Sequence, residues 1–217
     1  MSSVRVVHAR SPLRIDFVGM TDYVPACDLF GGSIVNATIN KYIYATAMER
    51  CDGLIIFHAP DQGDKRFVVE SKEALDPDGE LGLAQEIVRR FDLKSGVELT
   101  TYSEMPAGAG LGSSSTIATC IIAALDALTG FRLTSYEMAE LARECETVAL
   151  RTTYGWQDQY SPVTGGGVSV LLRSHAVVRV ARRAAEHPDA SARFPRRRRR
   201  RLVAVLPRHE PHRRPQA

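Results

Sequence analysis

A chain of 217 residues with 44% apolar and 24% charged residues has the composition of a globular protein with one sizeable domain. No apolar run reaches the roughly 18 residues that a membrane span requires, and the first ten residues contain no apolar leader, so membrane insertion and export are not expected. The four cysteines form no CxxC pair, which indicates reduced thiols in a cytoplasmic protein.

The net charge of +3 averages two unlike segments. Residues 173–217 contain 14 Arg, no Lys and 3 acidic residues, which gives this segment a charge of +11 and leaves −8 on the remainder. A basic surface over the whole chain, the usual signature of nucleic-acid binding, is therefore not expected. The mixture of Arg, Pro, His and Ala in this tail buries too little apolar surface to fold, so a disordered segment is predicted.

The first half of the chain has the alternation and the β-branched content of strands. A polar turn around Gly63 joins two of the strand candidates. Apolar residues at helical spacing from Leu83 to Phe91 indicate a helix in the same half. The predicted strands cover residues 4–7, 13–18, 34–47, 54–58 and 66–70.

A glycine-rich loop divides the chain, with one predicted strand before it and two predicted helices after it. The first of these helices is almost wholly apolar and should be buried, whereas the second is amphipathic and begins with the capping residues Thr134 and Glu137. Strands followed by helices that pack on one face predict an α+β fold. The elements cover residues 97–104 (strand), 113–128 and 135–150 (helices) and 168–172 (a final strand).

The loop has the sequence Pro106-Ala-Gly-Ala-Gly-Leu-Gly-Ser-Ser-Ser115. Its three glycines permit backbone conformations in which main-chain N–H groups approach an anion closely. The helix start adds unpaired N–H groups and the positive end of the helix dipole. The three serine hydroxyls can bind phosphate oxygens or a magnesium ion. We therefore predict a phosphate-binding loop.

The sequence of this loop does not match three other known glycine motifs. A Walker loop ends in Gly-Lys-Ser or Gly-Lys-Thr, and the loop contains no lysine. A dinucleotide-binding loop requires the spacing GxGxxG, whereas the glycines here are spaced GxGxG. No serine has the GxSxG setting of a nucleophile elbow. The remaining alternative is a glycine-rich turn that only caps the buried helix.

Three segments together resemble the GHMP kinases, the family of galactokinase, homoserine kinase, mevalonate kinase and phosphomevalonate kinase. The glycine loop is similar to the second motif of that family. Residues 12–23 are similar to the first motif, in which a strand carries an Arg and then a Thr-Asp pair. Glu146 and the segment Gly155-Trp-Gln-Asp-Gln-Tyr160 resemble the acidic pair of the sugar-kinase branch.

Residues 30–42 are especially similar to bacterial D-glycero-D-manno-heptose 7-phosphate kinases. The resemblance implies a GHMP N-terminal domain at residues 1–172, with the fold of ribosomal protein S5 domain 2 and no C-terminal GHMP domain after it. It also implies ATP-dependent phosphorylation of a small-molecule sugar or sugar phosphate, with ATP and Mg²⁺ as cofactors. It leaves the oligomeric state open.

The resemblance assigns roles to individual residues. Asp158 is the candidate base for the sugar hydroxyl, and Arg14 is expected beside it, where it keeps the carboxylate ionised and stabilises the transferred phosphoryl group. Ser114 and Glu146 are the expected magnesium ligands. The nucleotide phosphates are expected against Pro106, Gly108, Ala109, Gly110, Leu111, Gly112, Ser113, Ser114 and Ser115. The sugar is expected against Thr21, Asp22, Gly31, Gly32 and Gln157.

Each candidate taken alone has a structural alternative. Arg14 fits an exposed charge on a strand, Asp158 fits a helix cap, and Glu146 fits an exposed helix position. The order of the segments along the chain favours the kinase instead. Near the sugar, Gly19-Met20-Thr21-Asp22 is shorter than in the heptose kinases, and Trp156 stands where that branch has a lysine. Galactose, fucose and a non-sugar alcohol therefore stay open as substrates.

Three interpretations of residues 173–217 compete. A basic arm for nucleic acid is disfavoured, because no aromatic residue interleaves the arginines at 196–201. A disordered end is the second interpretation. The favoured hypothesis is translation in a shifted frame, because Arg, Pro, Ala and His without Lys are typical of a GC-rich gene in such a frame. A truncated and catalytically inactive homologue that binds nucleotide or sugar is then the rival function.

Overall fold

The computed structural model of the chain describes residues 4–18, 26–151, 155–173 and 176–183. Within these residues, helices pack on a seven-stranded mixed sheet. The strands are β1 (Val6–Val18), β2 (Gly32–Arg50), β3 (Ile55–Ala59), β4 (Lys65–Val69), β5 (Gly96–Ser103), β6 (Gly167–Arg173) and β7 (Ala176–Arg183). The helices are α1 (Ala26–Phe30), α2 (Gly82–Arg90), α3 (Ser113–Thr129), α4 (Ser135–Leu150) and α5 (Gln157–Thr164).

The long strand β2 organises the sheet. On one side it pairs antiparallel with β1 over most of its length. On the other side its first residues pair with β6 and its last residues pair with β5. The remaining strands extend the sheet outwards in the order β4-β3-β5-β2-β6-β7, and β3 and β5 run parallel.

The core lies between this sheet and the helices. Alternate residues of β2, from Ile43 to Ala47, and of β5, such as Leu99, are at most 1% exposed, as the two-residue period of a strand dictates. They pack against the apolar face of α3, including Ile121 and Leu125. Each fully buried side chain of this size contributes about 1.5–3 kcal/mol to folding. This packing fixes α3, and with it the loop that precedes the helix.

All three predicted helices are confirmed as α2, α3 and α4, and the two that follow the glycine loop have clear boundary signals. Helix α3 ends at Gly130, whose left-handed backbone (φ 74°) lets its N–H reach the carbonyl of Asp126 at 2.8 Å. Helix α4 begins with a capping box. The hydroxyl of Thr134 accepts from the N–H of Glu137 at 3.2 Å, and the Glu137 carboxylate accepts from the N–H of Thr134 at 2.7 Å.

The α+β prediction is confirmed, with differences in detail. The two predicted strands at residues 4–7 and 13–18 form the single strand β1, because irregularities at Pro12/Arg14 and Asp16/Val18 let it follow β2 throughout. The interpretation of Asp158 as a helix cap is wrong, because Asp158 is the second residue of α5 and Trp156 is the N-cap. Strand β7 was not predicted, and it carries the sheet past the predicted domain boundary at residue 172 to Arg183. The arginine run at 196–201 lies outside the described residues.

Candidate nucleotide and phosphoryl-transfer site

The glycine loop has the backbone that the sequence predicts. Gly108, Gly110 and Gly112 have φ values of 80°, 73° and 70°, in the left-handed region that side chains avoid. A Cβ atom at Gly108 or Gly110 would meet no atom within 4 Å, so the loop faces open space at these positions. Gly112 is the N-cap of α3 and offers no side chain to the first N–H groups of the helix. Those groups are therefore available to an anion.

The loop forms one wall of a cleft of about 1010 Å³. The partly exposed side chains of Leu81, Leu83 and Ile117 supply apolar surface, and Asp158 borders the same cleft. The Oγ atom of Ser113 is buried at this wall and has no hydrogen-bond partner among the described residues. An unsatisfied buried hydroxyl beside a helix start fits a phosphate oxygen.

Arg14 and Asp158 form an ion pair where β1 meets α5. The Oδ1 atom of Asp158 accepts from Arg14 Nε at 2.8 Å and from Arg14 Nη2 at 2.5 Å. The Arg14 side chain is 8% exposed and the Asp158 side chain 28% exposed. The interpretation of Arg14 as an exposed strand charge is therefore wrong, and the two residues lie together as the resemblance implies.

Arg14 also holds the glycine loop. Its Nη1 donates to the carbonyl of Gly110 at 3.0 Å, and its backbone N–H donates to the carbonyl of Leu111 at 3.3 Å. The position of a Cβ atom at Gly112 lies 3.4 Å from the guanidinium carbon of Arg14. One arginine thus connects the candidate base with the loop that is expected to bind phosphate.

Behind the loop, three helices contribute one polar residue each to a buried cluster. The hydroxyl of Ser115 of α3 lies 2.9 and 2.7 Å from the two carboxylate oxygens of Glu146 of α4, within reach to donate its proton to either. Gln159 of α5 donates through Nε2 to Glu146 Oε2 at 2.6 Å and to Ser115 Oγ at 3.2 Å. All three residues are at most 2% exposed, so the interpretation of Glu146 as an exposed helix residue is wrong.

Burial raises the pKa of the Glu146 carboxyl, against hydrogen bonds from Gln159, Ser115 and Ser114 that lower it. These hydroxyls and this carboxylate are hard oxygen donors of the kind that Mg²⁺ prefers. No group of three or more His, Cys, Asp or Glu residues in the described ranges could enclose a metal by itself. A magnesium ion in a kinase is held by one or two protein ligands together with substrate phosphates, so this donor set fits.

The expected sugar contacts are only partly described. Thr21 and Asp22 lie outside the described residues. Gly31 and Gly32 stand at the start of β2, and Gly31 has a left-handed backbone (φ 73°). Gln157 is the first residue of α5, one position before Asp158. Their contact with a sugar stays a prediction.

Sequence reasoning missed two parts of the site. Gln159 lies in the quoted segment Gly155–Tyr160, yet nothing in its spacing indicated a contact with Glu146, because the two residues stand on different helices. The far wall of the cleft was missed for the same reason. It comes from distant segments and includes His58, Asp61, Lys65, Glu80, Leu81 and Leu83.

The fold, with a glycine loop before a buried helix, is that of a GHMP kinase N-terminal domain. Residues 81–166 match the family described as GHMP kinases N terminal domain. The described part of the chain contains no helix long and apolar enough to cross a membrane.

Within the family, heptose phosphate kinases are among the similar proteins. The D-glycero-alpha-D-manno-heptose 7-phosphate kinase of Campylobacter jejuni is 39% identical over 169 residues, which are 75% of this chain and 50% of that protein. A crystal structure from Campylobacter jejuni described as a sugar kinase is 36% identical with a TM-score of 0.72, covering 82% of this chain and 56% of that one.

A D-glycero-D-manno-heptose 1-phosphate kinase from Bacteroides thetaiotaomicron is 33% identical with a TM-score of 0.68, covering 81% of this chain and 59% of that one. The chain thus spans about half the length of the curated relatives it matches.

Proposed function

We propose that the chain is the nucleotide-binding half of a kinase that transfers the γ-phosphoryl group of ATP to a hydroxyl of a sugar or sugar phosphate. The observation that carries this proposal is the Arg14–Asp158 pair, which borders the cleft and is tied to the glycine loop through Gly110. A carboxylate for the hydroxyl, a cation for the phosphoryl group and a phosphate loop are the parts that phosphoryl transfer needs.

Each part has a distinct task. The Asp158 carboxylate accepts a hydrogen bond from the attacking hydroxyl and takes its proton as the new O–P bond forms. The bond between the γ-phosphorus and the β–γ bridging oxygen breaks in the same step, and ADP leaves. Arg14 holds that carboxylate in place and offers positive charge near the transferred group. The N–H groups at the start of α3 and the loop backbone bind the nucleotide phosphates. The apolar surface of Leu81, Leu83 and Ile117 suits the flat face of the base.

Magnesium would be held by Glu146 with the hydroxyl of Ser114, and Ser115 supports the carboxylate from behind. The ion supplies charge neutralisation at the phosphates when it is bound. Heptose 7-phosphate is the first substrate to test, because it is the substrate in the name of the Campylobacter jejuni relative.

The test is ADP release from Mg²⁺ and ATP with heptose 7-phosphate, galactose, fucose and mevalonate as separate acceptors. We expect heptose 7-phosphate to give the highest rate, and Asp158→Asn to lower that rate by about 10²- to 10⁴-fold. ATP affinity of the same variant should change little, because Asp158 faces the acceptor. Release that is independent of every acceptor and of Asp158 contradicts the proposal.

A second candidate is nucleotide binding without turnover. It rests on the glycine loop and the start of α3 alone, which offer N–H groups to phosphate without an acceptor. Here Mg²⁺ and ATP bind saturably, and no acceptor releases ADP. Calorimetric titration with ATP alongside the ADP assay separates the two candidates.

A further inference from the structure

The contact between Gln159 and Glu146 joins the two halves of the site. Asp158 and Gln159 are successive residues of α5, and successive side chains of a helix point in directions about 100° apart. Asp158 therefore faces the cleft with Arg14, while Gln159 points back to Glu146 and Ser115. A single short helix places both the candidate base and the support of the candidate metal ligand.

The Gln159 amide is not satisfied by this arrangement. Its Nε2 makes both of the contacts described above, but its buried Oε1 has no hydrogen-bond partner in the described ranges. A buried carbonyl without a partner destabilises a fold, and an apolar side chain of the same volume avoids that penalty. Groups that lower stability at such a place are expected where function requires them.

The Glu146 carboxylate needs an N–H donor to fix its orientation, because the neighbouring Ser115 hydroxyl cannot do so alone. The Ser115 hydroxyl can donate only one proton, and the structure shows it within reach of both carboxylate oxygens. Gln159 Nε2 lies 2.6 Å from Oε2 alone, so it singles out one oxygen. The other oxygen, Oε1, is left for Ser115 or for a cation at the loop.

We propose that Gln159 is a positioning residue that orients the Glu146 carboxylate toward the divalent cation of the bound nucleotide. The inference rests on the proposed function, since it needs Mg²⁺ and ATP to bind at the glycine loop. Gln159 acts through Glu146 and is not expected to touch the nucleotide. Its loss therefore weakens binding that depends on the cation and leaves cation-independent binding of ATP unchanged.

The test is calorimetric titration of the full chain with ATP, once with Mg²⁺ and once with EDTA. We expect Gln159→Met to lower ATP affinity about tenfold with Mg²⁺, as for other residues that support a metal ligand, and to leave it unchanged with EDTA. The matched control is Gln85→Met. Gln85 is also fully buried in a helix and makes two hydrogen bonds, to the backbone of Asp76 and Glu80. The Gln85→Met variant should have the same ratio of ATP affinity with Mg²⁺ to ATP affinity with EDTA as the wild type.

Equal affinities of Gln159→Met and wild type with Mg²⁺ would overturn the inference. If the wild-type protein binds ATP with the same affinity in Mg²⁺ and in EDTA, the proposed magnesium site is wrong, and so is the inference that depends on it. If Gln159→Met does not fold, the double variant Glu146→Gln/Gln159→Glu tests the inference instead, because it restores a buried amide–carboxylate pair with the two groups exchanged. We expect this variant to fold and to lack the Mg²⁺-dependent gain in affinity. If the double variant instead shows the same Mg²⁺-dependent gain in ATP affinity as wild type, the position of the carboxylate does not matter and the inference is refuted.

Discussion

One carboxylate oxygen of Asp158 accepts two hydrogen bonds from Arg14. Nε and Nη2 of the guanidinium converge on Oδ1, and the remaining Nη1 reaches the carbonyl of Gly110. The planar fork of Arg is what allows one side chain to serve two partners in fixed directions. A lysine has a single ammonium group and cannot reproduce this geometry.

We therefore predict that Arg14→Lys lowers the rate of phosphoryl transfer by about 10- to 100-fold although the charge is kept. The free energy of unfolding should fall by about 1–3 kcal/mol, because hydrogen bonds to a charged group are lost. Rates of ADP release and urea denaturation measure the two effects. Arg10→Lys is the matched control, since Arg10 is an exposed residue of the same strand that lies over the ring of Tyr42. If the rate of ADP release is unchanged in Arg14→Lys, the guanidinium group is not required for phosphoryl transfer.

The open space above Gly108 predicts an effect on nucleotide binding. In Gly108→Ala the new methyl group projects into the cleft where phosphate is expected, so ATP affinity should fall at least tenfold. Stability should fall by only about 1–2 kcal/mol, the usual penalty for a left-handed alanine. Gly53→Ala has nearly the same backbone (φ 79° against 80°) and equally open surroundings, but Gly53 lies away from the cleft. It should lose the same stability and keep its ATP affinity, as titration calorimetry would show.

The buried Glu146 carboxylate predicts a pH dependence of stability in the metal-free protein. Burial raises the pKa of this group in the folded state above its ordinary 4.5. The unfolded chain therefore releases this proton first, and the free energy of unfolding falls as the pH rises from about 4.5 through the folded pKa. Glu146→Gln removes the ionisation, so at pH 7.5 in EDTA the variant should be more stable than wild type.

Urea denaturation at several pH values between 4.5 and 7.5 measures this difference, which should grow with pH. Glu137 provides a control of opposite sign, because hydrogen bonds from Thr134 lower the pKa of the Glu137 carboxyl. Its contribution is present at neutral pH and is lost as the pH falls, so Glu137→Gln should destabilise the protein at pH 7.5. A Glu146→Gln variant less stable than wild type at every pH would show that the carboxylate supports the fold.

The four cysteine thiols should differ widely in reactivity. Cys51 is exposed, whereas Cys27, Cys120 and Cys145 are buried. Burial raises the pKa of the Cys120 thiol and of the Cys145 thiol to about 12, so little thiolate forms at neutral pH. A disulfide-exchange reagent at pH 8 should label one thiol rapidly in the folded protein and all four in urea. Rapid labelling of two or more thiols without denaturant would contradict this packing.

The parts of the site that lie within one segment could be predicted from the sequence. The glycine loop and its helix occupy consecutive residues, so their phosphate-binding chemistry could be predicted from the sequence of that segment. The proximity of Arg14 and Asp158 was predicted from the resemblance of two motifs to those of the GHMP kinases. The cluster of Ser115, Glu146 and Gln159 could not be predicted in this way. It depends on the angles at which three helices pack, and helical periodicity fixes which face is apolar but not which neighbour that face meets.

The same limit applies to the sheet. Strands β3, β4 and β5 were predicted close to their observed bounds, because turns and alternation mark them locally. The full length of β2 was not, since it follows from pairing with β1, β5 and β6 at three different places in the chain. No pattern in the sequence marked the first residue of α5, so whether Asp158 caps this helix or lies within it could be decided only by the structure, in which it is the second residue.

The divided pairing of β2 has a consequence for how the chain is made. Residues Gly32–Ala37 find their partners on one side only in Gly167–Leu172, which leave the ribosome after every helix of the domain. Until then that edge has unpaired N–H and C=O groups, which are a template for pairing with another nascent chain. Synthesis that pauses before residue 167 therefore holds the domain in its most aggregation-prone state, and helper proteins that shield strand edges are most useful during that interval.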